Sequence, residues 1–202
     1  MATTPPATPF PFPREYFFPA FFTRQTNLNT LHAQLVKWAA LVLAYCRHHR
    51  IFKLPLTPDS STAITANTTS SSSNNSAPSA DELFHNRRIN RRLALADVRE
   101  VIDFMRKDGR AEYVGDGGGG DVVWIYWRTP EEWGALIEAW VDSTGQKGTV
   151  LTLYELIEGE GTVSTEFHGL DQDLLQKALN TLVKRGKAQI FGQEDSQGVK
   201  FF

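Results

Sequence analysis

Apolar side chains recur along this chain at steps of three and four, broken by short alternating runs. Leu31, Leu35, Trp38, Val42 and Tyr45 trace one face of a helix, predicted to run from about Thr30 to near Arg50. Cys46 lies inside it and reads as a small buried hydrophobe, because no second thiol or ligand set accompanies it. A short helical stretch is expected over 81–86. Val98, Val101, Ile102 and Met105 give a second amphipathic helix, which Gly109 stops. Strand-like runs at 111–114 and 122–127, joined by the glycine-rich 115–121, predict a β-hairpin. Thr129 and Glu132 spell a capping box with Pro130 at the first helical position, and Trp133, Leu136, Ile137, Trp140 and Val141 form the buried stripe that follows. After a short strand at 149–151, a second capping box, Thr152 with Glu155, opens a short helix ending at Gly159. An acidic loop spans 158–166. Asp171 caps the last helix, with Leu174, Leu175, Ala178, Leu179, Leu182 and Val183 inward; Gly186 ends it, and 188–191 with 199–202 close a second hairpin.

Two stretches depart from this pattern. The first 27 residues are rich in proline and aromatics, and prolines at 5, 6, 9, 11, 13 and 19 predict an extended arm rather than a helix. Residues 56–80 turn rich in Ser, Thr and Asn; 60–80 hold no charged and no aromatic side chain, which predicts a disordered insertion.

An internal repeat organises the rest. Lys107-Asp108-Gly109-Arg110-Ala111-Glu112-Tyr113-Val114 matches Lys184-Arg185-Gly186-Lys187-Ala188-Gln189-Ile190-Phe191 in type and order, 77 residues apart. Each copy ends an amphipathic helix and starts a hairpin. Three helices and a hairpin make a winged helix, a helix-turn-helix variant. The expected fold is mainly α with small β-hairpins (α+β): two winged-helix domains in tandem behind an extended Pro/aromatic-rich arm. The expected limits are 1–27 for the arm, 28–128 for the first domain with its insertion at 56–80, and 129–202 for the second.

Composition narrows the chemistry. A net charge of −2 gives no general attraction to nucleic acid or anionic membranes, and one cysteine excludes an internal disulfide and fits a reducing compartment. No apolar run reaches the length of a membrane span, and the first residues lack the order of a signal peptide, so a cytoplasmic protein is expected. The run Gly115-Asp116-Gly117-Gly118-Gly119-Gly120 joins two strands and has no phosphate-loop Lys, so it reads as a wing turn. The five histidines lack zinc-ligand spacing, and Glu158, Glu160 and Glu166 have no evident partner acid or base. No catalysis, metal or cofactor is expected. Winged helices often bind nucleic acid, which leaves a nucleic-acid-binding regulator as the alternative. Its one basic knot is Arg87-Arg88-Ile89-Asn90-Arg91-Arg92, equally readable as a solvated surface or a partner contact.

Several passages together resemble the family of small subunits of the endosomal sorting complex ESCRT-II. They are Phe17-Phe18-Pro19-Ala20-Phe21-Phe22-Thr23-Arg24-Gln25, Trp127-Arg128-Thr129-Pro130-Glu131-Glu132-Trp133, Ser143-Thr144-Gly145-Gln146, Leu151-Thr152-Leu153-Tyr154-Glu155-Leu156, Glu166-Phe167-His168-Gly169-Leu170 and Gly198-Val199-Lys200-Phe201-Phe202. The resemblance implies a non-catalytic adaptor, present in two copies per complex, that sorts ubiquitinated cargo to multivesicular bodies and reaches the endosomal membrane through partners. It implies docking of the first domain on two larger subunits through a Pro-Pro-x-aromatic motif, here Pro19, Ala20, Phe21 and Phe22 with alanine for the second proline. Phe21→Ala with Phe22→Ala is then expected to leave folding intact and abolish assembly. It also implies that the second domain recruits an ESCRT-III subunit through that subunit's N-terminal helix. The surface expected for it is Phe167 and His168 with Lys200 and Phe202, although Phe167 and Phe202 equally suit a core.

Overall fold

A computed structural model describes residues 9–57, 80–115, 120–192 and 197–202. The expected insertion lies almost wholly outside the described residues. The chain divides into two compact units, Met1–Trp127 and Arg128–Phe202.

In the first unit, helix α1 (Leu28–His49) begins where the Asn27 carbonyl oxygen of the side chain accepts from the amides of Asn29 and Thr30 at 3.0 and 3.2 Å. Arg47, His48 and His49 occupy its last turn, where the helix dipole favours positive charge, and Arg50 leaves it in the left-handed region (φ 53°). Strand β1 (Lys53–Pro55) follows, then α2 (Ala80–Phe84) and a tight hairpin of β2 (His85–Asn86) and β3 (Arg91–Arg92). Next come α3 (Leu95–Lys107), β4 (Ala111–Tyr113) and β5 (Val122–Ile125). The three longer strands form an antiparallel sheet ordered β1-β5-β4, with Lys53 opposite Trp124 and Ala111 opposite Ile125. Strand β1 escaped the sequence pattern because three residues with only Leu54 inward show no alternation, and Pro55 is tolerated because the strand is an edge. The helix expected over 81–86 stops at Phe84, because His85 and Asn86 pair with Arg92 and Arg91 instead.

The arm departs from the expected extended form. Arg14–Phe17 and Pro19–Phe22 are two consecutive 3-10 turns. Pro13 caps the first and Pro19 starts the second, positions at which proline's fixed φ suits a helical start and its missing N–H costs nothing.

The second unit repeats the plan. Helix α4 (Pro130–Thr144) opens on the capping box, with the Thr129 amide donating to Glu132 at 2.7 Å and the Glu132 amide to the Thr129 hydroxyl at 3.3 Å. It is followed by β6 (Val150–Thr152), α5 (Leu153–Glu158) with its own capping box, a 3-10 turn at Glu160–Thr162, α6 (Gln172–Lys184), β7 (Ala188–Phe191) and β8 (Gly198–Phe201). The sheet order is β6-β8-β7, all antiparallel. Trp133, Ile137 and Val141 of α4 and Leu174, Leu175, Leu179 and Leu182 of α6 fill the core. Gly134 sets the approach of the two helices: a Cβ there would sit 2.9 Å from the Thr181 hydroxyl and 3.1 Å from the Ala178 carbonyl oxygen. Each unit is thus three helices with a three-stranded wing, a winged helix.

Candidate docking surface on the amino-terminal arm

The arm is bolted to the first unit by its aromatics and its main chain. Phe21 stacks flat on Trp38 (centroids 4.4 Å, planes 8° apart) and Phe22 meets the same indole edge-on at 5.4 Å. The Phe21 carbonyl accepts from Trp38 Nε1 at 3.0 Å and from Gln34 Nε2 at 2.8 Å. Gln34 is one of few buried polar side chains, and it also donates to the Thr23 carbonyl at 2.9 Å. Further along, the Tyr16 hydroxyl donates to the Glu82 carbonyl at 2.6 Å, and Tyr45 donates to the Glu82 carboxylate at 2.8 Å. Burial pushes both phenols well above their ordinary range, so both stay protonated donors. Arg24 closes the arm with a two-pronged bond to Glu100 at 2.7 and 3.0 Å; that hydrogen bonding lowers the Glu100 carboxyl below its usual range.

This packing encloses two of the three expected docking residues, Phe21 and Phe22, and leaves Pro19 exposed. Phe21 and Phe22 are 8% and 4% exposed, so as folded they hold the arm. Their outward-facing neighbours are Phe17 (40% exposed), Phe18 (67%) and Pro19. Which ring of the proline-aromatic string faces out depends on Trp38 and Gln34, which the string does not contain.

The surface expected on the second unit separates into two places. Phe167 is core, 2% exposed and edge-on to Trp140 of α4 at 5.7 Å. His168 Nδ1 lies 3.0 Å from the Thr162 hydroxyl. Lys200 and Phe202 lie together elsewhere, the ammonium 5.6 Å from the ring centroid, and Phe202 is 52% exposed. The register, with Val150 opposite Lys200 and Thr152 opposite Gly198 opposite Phe191, puts Val150, Phe191 and Lys200 on one sheet face. Val150 and Phe191 are exposed there.

Several basic groups on and beside the helices that would read nucleic acid pair within their own unit. In α3, Arg99 pairs with Asp121 at 3.0 Å, while Arg106 pairs with Asp103 at 3.0 Å and covers the Tyr113 ring at 4.9 Å. At the end of α6, Arg185 and Lys187 share Glu138 at 3.5 and 3.6 Å. Glu166 of the acidic loop bonds Arg128 at 2.7 Å. Cys46 is fully buried, and burial pushes its thiol far up. Among the described residues no group of His, Cys, Asp and Glu is placed to hold a metal ion, and no helix is long and apolar enough to cross a membrane.

Two winged helices in tandem behind an ordered aromatic arm define the class of fold. Residues 15–171 match the model of the family described as ESCRT-II complex subunit, and the chain belongs to that family, one of complex subunits and not of enzymes. Among its relatives is vacuolar protein-sorting-associated protein 25 of Homo sapiens, 39% identical over 196 residues that cover 97% of this chain and 99% of the relative. The protein of the same name from Xenopus laevis is 37% identical over 193 residues, covering 96% and 99%. The crystal structure of subunit VPS25 of the endosomal trafficking complex ESCRT-II superposes with a TM-score of 0.76 at 26% identity, covering 94% of this chain and 98% of that one. A chain of the crystal structure of the ESCRT-II complex (VPS22/VPS25/VPS36) gives 0.72 at 27% identity, with the same coverage.

Proposed function

We propose that this protein is the adaptor subunit of an ESCRT-II complex, docked by its arm on two larger subunits and present in two copies. The observation that carries this reading is the pair of outward phenylalanines, Phe17 and Phe18, held beside Pro19 on an arm already ordered in the free chain. Ordering an arm on binding costs affinity; here Phe21, Phe22, Gln34 and Trp38 have met that cost during folding. Relatives found in the complex of VPS22, VPS25 and VPS36 support the choice of partners. The complex acts in the cytoplasm on endosomes, in sorting ubiquitinated membrane cargo to multivesicular bodies, and this chain reaches the membrane through its partners. The second unit recruits an ESCRT-III subunit by seating that subunit's N-terminal helix on the outer sheet face of Val150, Phe191, Lys200 and Phe202, where exposed apolar side chains surround one cation.

The test is Phe17→Ala with Phe18→Ala, assayed by co-purification with the two larger subunits. The variant is expected to fold as the parent does and to lose assembly. Full assembly by the folded variant would remove the arm from the docking account. For the second unit, Lys200→Glu with Phe202→Ala is expected to abolish binding of an ESCRT-III N-terminal helix while leaving ESCRT-II assembly unchanged; unchanged helix binding sinks that assignment.

A further inference from the structure

Ahead of the two 3-10 turns, the segment Pro9-Phe10-Pro11-Phe12-Pro13 lies against the last turn of α1. Its prolines leave it little freedom to lose on ordering, and its two rings supply the apolar surface. Phe10 meets Tyr45 edge-on with centroids 5.2 Å apart, His48 at 5.4 Å and His49 at 6.2 Å. Phe12 lies edge-on to Phe10 at 5.0 Å and flat on Tyr16 at 4.0 Å, the planes 16° apart. The seat of Phe10 on α1 is therefore one phenol and two imidazoles, and an imidazole can gain a charge close to neutral pH.

The two imidazoles are not equivalent. His48 is exposed, so water solvates its charged form. His49 is half-buried, and its ring packs on Tyr45 at 4.5 Å. Its Nε2 is enclosed and has no hydrogen-bond partner among the described residues. In the charged ring both nitrogens are donors, so Nε2 becomes a buried cationic donor with nothing to receive it. Burial, then the neighbouring His48 with its ring 4.8 Å away, hold His49 below the usual histidine range, and Glu82 of α2 opposes them. The Glu82 carboxylate is turned to the Tyr45 hydroxyl, which it accepts from at 2.8 Å. Tyr45 itself stays a neutral phenol, and residues 9–13 bring no charge. The negative end of the α1 dipole also favours a cation in this turn, and Arg47 already answers it.

We propose that His49 makes the seat of Phe10 a pH-sensitive latch: with the imidazole neutral, residues 9–13 close over the end of α1, and protonation of His49 releases them. A histidine held below its unfolded value contributes stability that is full above that value, about 6.5, and is lost as pH falls through the folded one. The latch is therefore shut at neutral pH and opens in mild acid. Opening stops short of Pro19–Phe22, because Trp38 and Gln34, which hold that turn, do not titrate in this range. The device belongs to the free chain and is independent of what the arm docks on.

The experiment puts 4-fluorophenylalanine in place of Phe10 in the full chain and follows its single fluorine resonance from about pH 7.5 to about pH 5, with far-UV circular dichroism to show that the fold persists. The parent resonance is expected to start at a position shifted by the surrounding rings and to move to that of the unfolded chain, with a midpoint below about 6.5. His49→Phe keeps an aromatic ring and cannot titrate, and its resonance is expected to hold one position throughout. Should that variant fail to fold, His49→Gln is read in its place with the same expectation. His48→Gln removes the neighbouring like charge and is expected to keep the transition and raise its midpoint. A parent resonance that stays put over this range overturns the proposal, as does a transition of the same size and midpoint in the His49 variant. A transition lost in His48→Gln and kept in the His49 variant also overturns it, and assigns the latch to His48.

Discussion

Phe21→Ala and Phe18→Ala remove the same atoms three residues apart and are expected to differ sharply. The Phe21 ring lies flat on Trp38 at 4.4 Å and is almost fully enclosed. Truncating a buried phenylalanine costs about 3–5 kcal/mol through lost transfer energy and the cavity left behind. The bonds from Trp38 and Gln34 run to the Phe21 main-chain carbonyl and survive the substitution, so the loss is one of packing and falls at the low end, about 3 kcal/mol. For a unit of this size that lowers the melting temperature by roughly 10 °C. Phe18 is 67% exposed, and its truncation shifts stability by less than about 0.5 kcal/mol. Urea denaturation followed by far-UV circular dichroism reads both. A Phe21→Ala chain that unfolds at the parent's urea midpoint would refute the reasoning, as would a Phe18→Ala chain that unfolds much earlier.

The remaining predictions concern the ties that position the surfaces. Asn86→Ala leaves the Tyr16 carbonyl and two turn amides without partners, and is expected to cost about 1–3 kcal/mol and to speed amide exchange in the arm, read by mass spectrometry. Unchanged exchange over 14–22 would contradict it. Gly134→Ala drives a methyl against the Ala178 carbonyl and the Thr181 hydroxyl, and is expected to destabilise the second unit by about 1–3 kcal/mol in the same urea assay. A neutral or stabilising effect would mean that α4 and α6 separate easily. The Glu155 carboxyl is held below its usual range by the Thr152 amide, then by the Thr152 hydroxyl. A depressed folded value gives stability that is full above the unfolded value and is lost as pH falls through the folded one. Glu155→Gln is therefore expected to flatten the acid limb of the stability–pH curve, and an identical limb would count against the capping box.

Much of the fold was legible because its signals are local. Thr129 with Glu132, Thr152 with Glu155 and Asp171 all cap the helices they were expected to open. The glycine after each repeat helix, Gly109 and Gly186, has positive φ, as a helix stop of that kind requires. The arm was legible as a proline-aromatic segment but not as a shape. Its prolines are equally compatible with an extended chain and with the first turn of a 3-10 helix, and Trp38, sixteen or more residues away, decides. Gln34 was the available clue: a polar side chain inside the Leu31–Trp38–Val42 stripe needs a buried partner, and the arm's carbonyls supply it. The arginine hairpin was legible as a charge cluster only. Its direction comes from Asn86, whose bond to Tyr16 spans 70 residues.

The central claim is tested most directly by mixing the purified chain with the two larger ESCRT-II subunits of its own source and measuring mass by size-exclusion chromatography with light scattering. The account predicts one peak with the mass of a complex holding two copies of this chain. Separate elution of folded components would contradict it.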